Sequence, residues 1–489
     1  MNYIDKLKSD RYRVSSIEGR HFNEEMESDR GRAINSAAVR RLQQKTQVFP
    51  LESNAAVRSR LTHSLEVQQV GRYISKLVLK ELTNQGINTA EYSEGFISAV
   101  EVACLLHDIG NPPFGHFGEE AINLWTRSFL SKTIHALYKD ENDCGKLIKD
   151  LCNFEGNAQG IRLLHQIQAL NLTYTQLACL VKYTRAAYED KPSSSNSNQF
   201  SYRKKKPGYY FTEEDLYKKI QQNLAIADGC RFPLTYIMEA ADDISYCIAD
   251  VDDAVDKGIL SIEKLHSEIE RIWKSFRGKA GIDDVVVDEG YLLNIANRAM
   301  EKAQEEKFNR NHTYILTLRT TLVNDLAHYA AERYVKNHDL VFNGTLDESL
   351  LDGCDKYNLA TETLRYLSVD NVFNHTEVEN LELKGYAVIS GLLEIYSKLM
   401  SLSFEDFKLL ALKNRLKSHP IETRLFHKLS SKHKTTYFSA VSELFNQQEV
   451  SNSDKLIEIY HRARLIIDYI SGMTDGFALE EYQNLSASI

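Results

Sequence analysis

The amino-acid sequence predicts an all-α protein. Its 489 residues include only seven prolines, whereas the helix-favouring residues Leu, Ala, Glu, Lys and Gln are plentiful. Several long segments carry apolar residues at helical spacing. The sequence sustains neither the apolar–polar alternation that predicts strands nor a repeat of fixed period. A mostly helical core is therefore expected.

The predicted helices follow one another along the chain. Residues 59–82 are amphipathic and predict a long helix. Beyond a polar loop at 84–89, the largely apolar residues 94–106 predict a second helix. Further helices are predicted at 157–168, 176–182, 232–255 and 293–307, and several more after residue 314.

The length of the chain favours a large helical domain with an added lobe, or two to three domains. We predict an N-terminal segment, 1–58, packed on a helical core at 59–280, and a helical C-terminal region at 281–489. The Pro, Ser and Asn residues of KPSSSNSNQ predict a loop at 190–200.

Composition narrows the function classes. A net charge of −9 argues against general adhesion to nucleic acid or to anionic membranes. No apolar stretch approaches the roughly 20 residues of a membrane span, and the first ten residues lack the apolar core of a signal peptide. The seven cysteines show no C-x-x-C spacing, which fits a reducing compartment. A cytoplasmic protein without a membrane partner is expected.

One basic run has two interpretations. YRKKKPGYY, residues 202–210, combines lysines with aromatic residues and would suit the binding of phosphates or the stacking of bases. A short lysine run beside a loop is more commonly a solvated surface, and this second interpretation is favoured.

A histidine and an aspartate stand together where a predicted helix ends. In CLLHDIGNPPFGHFGEE, residues 104–120, His107 and Asp108 close an apolar run that Gly110 and the two following prolines interrupt. Imidazole nitrogen and carboxylate oxygen together suit Mn, Fe, Zn or Mg better than calcium. The alternative is a helix end capped by a hydrogen-bonded polar pair.

A second polar pair lies in RLTHSLEV, residues 60–67. Arg60 and His63 are three residues apart and therefore share a helix face. An arginine there is suited to grip a phosphate bound to a metal that His63 helps to hold. An ordinary polar helix face is the alternative.

A third polar set lies in IMEAADDISYCIADVDDAV, residues 237–255. At about 100° per residue, Asp242, Tyr246 and Asp250 fall together, opposite an apolar stripe. A solvated acidic face and the lining of a pocket are equally good interpretations of this periodicity.

Taken together, these words resemble a known family. His63, His107–Asp108 and the distant Asp242 reproduce the H…HD…D pattern of the HD superfamily of metal-dependent phosphohydrolases. The words SDRGRAINS, VRRLQQKTQVFP, RLTHSLEV, HDIGNPPFGHFGE, FEGNAQG and YISGMTD, in order from residue 28 onward, resemble the bacterial deoxyguanosinetriphosphate triphosphohydrolases of enterobacterial type.

The resemblance implies a fold and a reaction. The fold is an HD-domain helical core with an additional helical C-terminal lobe. The reaction is metal-dependent hydrolysis of dGTP to deoxyguanosine and triphosphate, with attack at the α-phosphorus. Alternatives are an HD phosphohydrolase with a broader dNTP range or another nucleotide substrate, and a helical scaffold or nucleic-acid-binding protein whose histidines and aspartates are structural.

The resemblance also implies residue roles. One divalent ion, Mg or Mn, is bound by His63, His107, Asp108 and Asp242, with Asp243 not a ligand. His116 lies beside the α-phosphate as general acid or base, oriented by Glu119. Phosphates are bound by Arg60, Asn157, Lys182 and Tyr183, the deoxyribose by Gln47, Tyr246 and Asp250, and guanine by Val48, Glu382, Arg415 and Arg424.

Partners are implied in the same way. Similar enzymes are homo-hexamers, and single-stranded DNA is an expected effector. YRKKKPGYY and LFHKLSSKHK, residues 425–434, are the candidate basic surfaces for it.

Overall fold

Amphipathic segments separated by polar breaks fold into α-helices joined by short connections. The computed structural model describes residues 2–52, 54–192, 200–279 and 281–487. Its α-helices are α1 (Phe22–Ile34), α2 (Ala37–Arg41), α3 (Arg60–Asn84), α4 (Ser93–Leu106), α5 (Gly115–Trp125), α6 (Ser131–Tyr138), α7 (Cys144–Leu151), α8 (Gly156–Arg162), α9 (Tyr174–Leu180), α10 (Glu214–Asn223), α11 (Pro233–Asp256), α12 (Ile262–Lys274), α13 (Asp284–Asp288), α14 (Tyr291–Glu305), α15 (Arg310–Lys336), α16 (His338–Phe342), α17 (Lys356–Ser368), α18 (Thr376–Tyr396), α19 (Phe404–Lys413), α20 (Pro420–Lys428), α21 (Ser431–Phe445), α22 (Asn452–Ser471) and α23 (Asp475–Ser486).

Shorter elements extend or connect these helices. Wider π-helical turns continue α5, α8 and α17 at Thr126–Leu130, Leu163–Ile167 and Val369–Phe373. Single 3₁₀ turns occur at Tyr3–Asp5, Leu42–Gln44, Phe211–Glu213 and Ser397–Leu399. The prediction of an all-α protein is thus confirmed for the described residues.

Two short strands form a small parallel sheet. They are β1 (Arg185–Ala186) and β2 (Pro207–Tyr209), with Arg185 opposite Pro207 and Ala186 opposite Tyr209. The sequence did not predict them, because two or three residues are too few to display alternation.

The predicted helix positions agree closely with the structure in most cases. Helices α3, α4, α11 and α14 begin and end within two residues of the predicted ranges. The range 157–168 divides into α8 and its π-helical turn, and α9 ends at Leu180, which leaves Lys182 beyond the helix end. Of the predicted loop at 190–200, residues 193–199 lie outside the described residues.

Two apolar clusters form the core. In the first, α3, α4, α11 and α15 pack on one another, with α1 on α4 and α14 on α15. The second joins residues 114–158 to helices of residues 388–478. The predicted domain limits at 58 and 280 stay a prediction, since residues 292–378 also contribute to the first cluster.

Helix α11 is central to the first cluster because its apolar stripe is fully covered. The stripe predicted from the periodicity is buried throughout and consists of Ile237, Ala241, Ile244, Ile248, Val251 and Val255.

The N-terminal residues pack on this cluster. Tyr3 is buried and its hydroxyl forms a 2.8 Å hydrogen bond with the hydroxyl of Tyr334 in α15.

Among the described residues no single helix is long and apolar enough to cross a membrane. Helix α18 with its 3₁₀ turn reaches that length and hydropathy only together with α19, and the two are bent by 96° relative to each other. All seven cysteines are free thiols.

Candidate active site

A cavity of about 500 Å³ opens where α3, α4, α5, α8, α11 and α18 approach one another. Its volume lies within the usual range for small-ligand sites, roughly 300–1,000 Å³. Most of the predicted site residues line it, and these are Gln47, Val48, Arg60, His107, Asp108, His116, Glu119, Asn157, Lys182, Tyr183, Asp242, Tyr246 and Glu382.

Local sequence explains how the two histidines reach this cavity. The Ser59 hydroxyl caps α3 by accepting a hydrogen bond from the Thr62 amide. The Thr62 hydroxyl in turn accepts a hydrogen bond from the Ser59 amide. The helix therefore starts at Arg60 and places His63 in its first turn. Helix α4 ends at Leu106, so His107 stands at the helix end, as predicted.

His63, His107 and Asp242 converge on one point. Their ligand atoms lie within 4.8 Å of one another. The Oδ1 atom of Asp242 is 3.5 Å from Nε2 of His63 and 3.3 Å from Nε2 of His107. Within the described part of the chain, both Nε2 atoms are buried without a hydrogen-bond partner. Buried nitrogens without partners are costly unless a ligand satisfies them.

A second contact orients His107 for ligation. Its Nδ1 lies 2.7 Å from the carbonyl oxygen of Cys104 and donates to it, so Nε2 is the ring nitrogen that faces the cavity. Two imidazole nitrogens and a carboxylate therefore fit a divalent transition metal or magnesium.

Asp108 lies beside this cluster, with its oxygens engaged elsewhere. Oδ2 accepts a hydrogen bond from Nη1 of Arg60, and Oδ1 accepts one of 2.6 Å from the side-chain amide Nδ2 of Asn111. The same Oδ1 is 3.6 Å from Nε2 of His107. The structure thus brings Asp108 and Arg60 together at the edge of the metal-ligand cluster.

The acidic and basic groups of the cluster hold each other in charged form. Burial opposes this, yet His107 keeps the pKa of Asp242 well below its usual range. Against the same burial, Asp108 and Asp242 raise the pKa of His107 to about 9. The two carboxylates thus stabilise positive charge at the centre of the cluster, which is the property that a cation site requires.

The polar side of α11 is a pocket lining and not a solvated acidic face. Asp242, Asp243 and Tyr246 line the cavity, whereas Asp250, one turn beyond Tyr246, is fully buried and does not line it. Burial raises the pKa of Asp250 well above its usual range, with the Tyr246 hydroxyl opposing the shift. Asp243 accepts a 3.3 Å hydrogen bond from Ser349.

Cations and an amide form one wall of the cavity. Nζ of Lys182 is 3.6 Å from Oδ2 of Asp242, and Tyr183 lies beside it. Asn157 stands in the first turn of α8, where its backbone amide donates a hydrogen bond to the carboxylate of Glu155. Lys206, just before β2, is 3.0 Å from Oε1 of Glu155.

Lys206 was not among the residues predicted for the site. It belongs to the run YRKKKPGYY, for which a solvated surface was the favoured interpretation; that interpretation is wrong. Arg203 is buried and only Ser201 of residues 201–210 is fully exposed. The basic and aromatic composition of the run was the available signal.

His116 projects into the cavity from the start of α5. Its side chain is 88% exposed, and Nδ1 lies 3.3 Å from Oε2 of Glu119. This hydrogen bond to Glu119 raises the pKa of His116. The other Glu119 oxygen accepts a 2.9 Å bond from the Gly156 amide, which fixes Glu119 between α5 and α8.

The predicted guanine-binding set is divided. Val48 and Glu382 line the cavity. Arg415, after α19, and Arg424, in α20, are exposed and do not line it. Arg424 donates a 2.8 Å bond to the carbonyl of Pro420 in its own helix.

Comparison with known proteins agrees with this geometry. The family model of the HD domain matches residues 60–179, and that of the phosphohydrolase-associated domain matches residues 412–484. A helical fold with a histidine–aspartate cluster at the base of a cation-lined cavity defines the chain as an HD-type phosphohydrolase.

Relatives of known name narrow the assignment. Deoxyguanosinetriphosphate triphosphohydrolases of Salmonella paratyphi A, Klebsiella pneumoniae and Cronobacter sakazakii are each 46% identical to this chain, over 94% of its length and 93% of theirs. The chain belongs to the deoxyguanosinetriphosphate triphosphohydrolase family.

Proposed function

We propose that the protein hydrolyses dGTP to deoxyguanosine and inorganic triphosphate. The observation that carries the proposal is the pair of partnerless buried Nε2 atoms of His63 and His107 around Asp242, at the base of a cavity with Arg60 and Lys182 in its wall. The names and extent of similarity of the enterobacterial relatives support dGTP as the substrate.

His63, His107, Asp108 and Asp242 are the proposed ligands of one divalent ion, Mg or Mn. When bound, such an ion polarises a phosphoryl oxygen and lowers the pKa of coordinated water. Asp108 would ligate the ion by giving up its hydrogen bond from the Asn111 side chain or from Arg60; in the second case Arg60 would be free to bind phosphate.

The chain's own cations suit a triphosphate. Arg60, Lys182 and Lys206 are distributed around the cavity, with the Asn157 amide and the Tyr183 hydroxyl as additional donors. Because the triphosphate carries roughly four negative charges and the protein is acidic overall, a local concentration of cations is needed to attract it.

His116 is the proposed general acid or base at the α-phosphate. Departure of O5′ leaves negative charge on that oxygen, so a proton held nearby on imidazole lowers the barrier. Glu119 orients the ring and keeps its pKa raised.

Sugar and base recognition complete the proposal. Gln47 and Asp250 read the 3′-hydroxyl, while the Tyr246 ring closes the space that a 2′-hydroxyl would need. Val48 and Glu382 contact guanine, whose N1 and N2 groups donate to a carboxylate. Arg415 and Arg424 stay assigned to guanine through the resemblance of their segment.

Assembly and location are proposed on the same resemblance. The protein is a homo-hexamer in the cytoplasm, with single-stranded DNA as effector. The seven free thiols fit a reducing compartment.

Product analysis tests the proposed function. We expect dGTP with Mg or Mn to yield deoxyguanosine and triphosphate, resolved by ion-exchange chromatography, and dGTP to be preferred over the other dNTPs and GTP. Release of pyrophosphate or monophosphate would instead favour an HD phosphohydrolase with a different cleavage site, and equal use of all dNTPs would favour the broader alternative.

Lys206 offers a specific test of the phosphate wall. Hydrogen bonds to charged groups contribute about 1.5–3 kcal/mol, so we expect Lys206→Ala to lower kcat/KM for dGTP by about 10- to 100-fold. Lys204→Ala is the matched control, because Lys204 belongs to the same run without lining the cavity. Equal effects of the two substitutions would remove Lys206 from the site.

A further inference from the structure

One carboxylate of the C-terminal region holds two segments of the cavity wall. Asp475, the first residue of α23, is buried. Its Oδ2 accepts hydrogen bonds from the amide and the hydroxyl of Thr46, at 2.9 and 2.6 Å. Its Oδ1 accepts a 3.0 Å bond from the amide of Phe114. Three donors from two distant segments thus converge on a single side chain.

Both segments carry residues of the proposed site. Thr46 precedes Gln47 and Val48 directly, and Phe114 is the residue before α5, whose second residue is His116. A displacement of Thr46 therefore moves the groups proposed to read the sugar and the base, and a displacement of Phe114 moves the proposed acid or base.

Phe114 needs external support for its conformation. Its φ of 60° and ψ of 22° are left-handed, which is uncommon for a residue other than glycine. Its ring and Cβ pack directly on Gly385 of α18, where an added Cβ would lie 2.4 Å from the Cβ of Phe114. Gly385 follows Glu382 by about one turn, so the position of Phe114 also bears on the base-reading carboxylate.

Charge complements these hydrogen bonds. Lys45 is buried and donates through Nζ to the carbonyl oxygens of Asn111 and Ser471, at 2.5 and 3.0 Å. Burial lowers the pKa of Lys45 to about 7, and the negative charge of Asp475 opposes this shift. The Asp475 side chain therefore accepts the hydrogen bonds of both segments and also stabilises the protonated form of Lys45.

We propose that Asp475 is a positioning residue that sets the selectivity of the site for deoxyribose over ribose. It holds the backbone of Thr46, and hence Gln47, at a fixed distance from the α11 residues that face the sugar. This inference rests on the proposed function, because it specifies how the same cavity distinguishes dGTP from GTP.

The test compares kcat/KM for dGTP and for GTP in Asp475→Asn. The amide keeps the shape but can accept at only one oxygen, so bonds to Thr46 or Phe114 are lost. Rejection of an added hydroxyl by shape contributes roughly 10² in selectivity, and we expect the dGTP-to-GTP ratio to fall at least about tenfold. A smaller folded fraction would lower the measured rates for dGTP and GTP by the same factor, so it could not by itself produce a fall in the ratio.

Glu458→Gln is the matched control. Glu458 is an equally buried carboxylate of the C-terminal region, and it pairs with Arg462 and Tyr437 of that region. We expect this variant to have a lower Tm with the wild-type dGTP-to-GTP ratio. A ratio that falls as much in Glu458→Gln as in Asp475→Asn would overturn the proposal.

Amide hydrogen exchange provides a measurement that does not depend on activity. In Asp475→Asn we expect faster exchange in peptides covering 45–48 and 110–118, with unchanged exchange in α15, which forms no hydrogen bond with either segment in the described part of the chain. Unchanged exchange in both peptides, or an unchanged ratio, would overturn the proposal. If Asp475→Asn does not fold, Thr46→Val, which deletes only the 2.6 Å bond, is judged by the same two criteria.

A wild-type chain without dGTP turnover would refute the proposed function instead. The exchange measurement then decides the positioning role of Asp475 alone, so the two failures are distinguishable.

Discussion

At the scale of single residues, the adjacent aspartates of α11 have different surroundings. Oδ1 of Asp242 is within 3.5 Å of both histidine Nε2 atoms, whereas Asp243 is bonded to Ser349. We expect Asp242→Ala to abolish metal binding and to cost more than the roughly 10²–10⁴-fold that a general acid or base supplies. Asp243→Ala should retain the metal. Metal analysis of the purified variants, with dGTP turnover, checks this; equal metal loss would show that both aspartates are ligands.

His116 provides a prediction of pH dependence. Because Glu119 raises the pKa of His116, the imidazolium persists to higher pH in the wild type than in Glu119→Gln. If His116 acts as an acid, the alkaline limb of the kcat profile should move to lower pH in that variant. If it acts as a base, the acidic limb should move in that direction. A profile with both limbs unchanged would show that Glu119 does not control the titration of His116.

At the scale of elements, the turn between α4 and α5 depends on close backbone contact. A Cβ at Gly110 would lie 2.1 Å from the carbonyl oxygen of Gly156 and 2.2 Å from the amide of Gly160. We expect Gly110→Ala to cost at least the roughly 1–3 kcal/mol of an overpacked core and to reduce activity, since α8 carries Asn157. Chemical denaturation measures the loss.

Gly145, in α7, is the control for this substitution. Apart from its chain neighbours and the backbone of its own helix, no atom of the described residues lies within 4 Å of a Cβ built there. Gly145→Ala should therefore be neutral or stabilise by up to roughly 1 kcal/mol, because alanine favours the helix. Similar losses in the two variants would contradict the packing argument.

Helix positions were largely predictable from the sequence, and short elements were not. Periodicity over a dozen or more residues determined α3, α4 and α11 closely. Strands β1 and β2 pair with each other although residues 187–206 separate them, so a local pattern contains no signal for them. For the polar face of α11, periodicity alone could not distinguish a solvated face from a pocket lining. Burial of that face by other helices decided for the pocket lining.

At the scale of the whole molecule, a buried ion pair joins the HD domain to the C-terminal region. Asp468 of α22 accepts bonds of 2.9 and 2.7 Å from Arg162 of α8 and one of 2.9 Å from Gln159. Removal of one partner leaves a buried charge, at a cost of roughly 3–5 kcal/mol. We expect Asp468→Ala to lose stability of that order in chemical denaturation, and exposed Glu480→Ala to change it by less than about 0.5 kcal/mol.

This pair also has a pH dependence of known sign. Against the effect of burial, Arg162 keeps the pKa of Asp468 below its usual value. The stability that ionised Asp468 contributes is therefore fully present above the pKa of about 3.9 that an aspartate has in the unfolded chain. It declines as the pH falls through the lower pKa of Asp468 in the folded protein. The difference in unfolding free energy between wild type and Asp468→Ala should thus be constant near neutrality and shrink only in strong acid.

The site residues that the family resemblance named could be predicted from the sequence. Residues brought to the cavity only by the fold of distant segments could not. His63, His107 and Asp242 meet as expected. Lys206 was missed because its neighbours in the chain suggested a surface. Arg415 and Arg424 remain predictions, since their exposed positions in one chain do not reach the cavity.

The second apolar cluster has a consequence for biosynthesis. Apart from Ala187 and Tyr210, the later apolar residues of the cluster that covers 114–158 lie at 388–478. At roughly 5–20 residues per second, a ribosome needs about ten seconds to a minute to make the intervening chain and its partners. During that interval the nascent α5–α7 segment exposes uncovered apolar side chains, and chaperones that shield such surfaces are expected to engage the chain there before it is released.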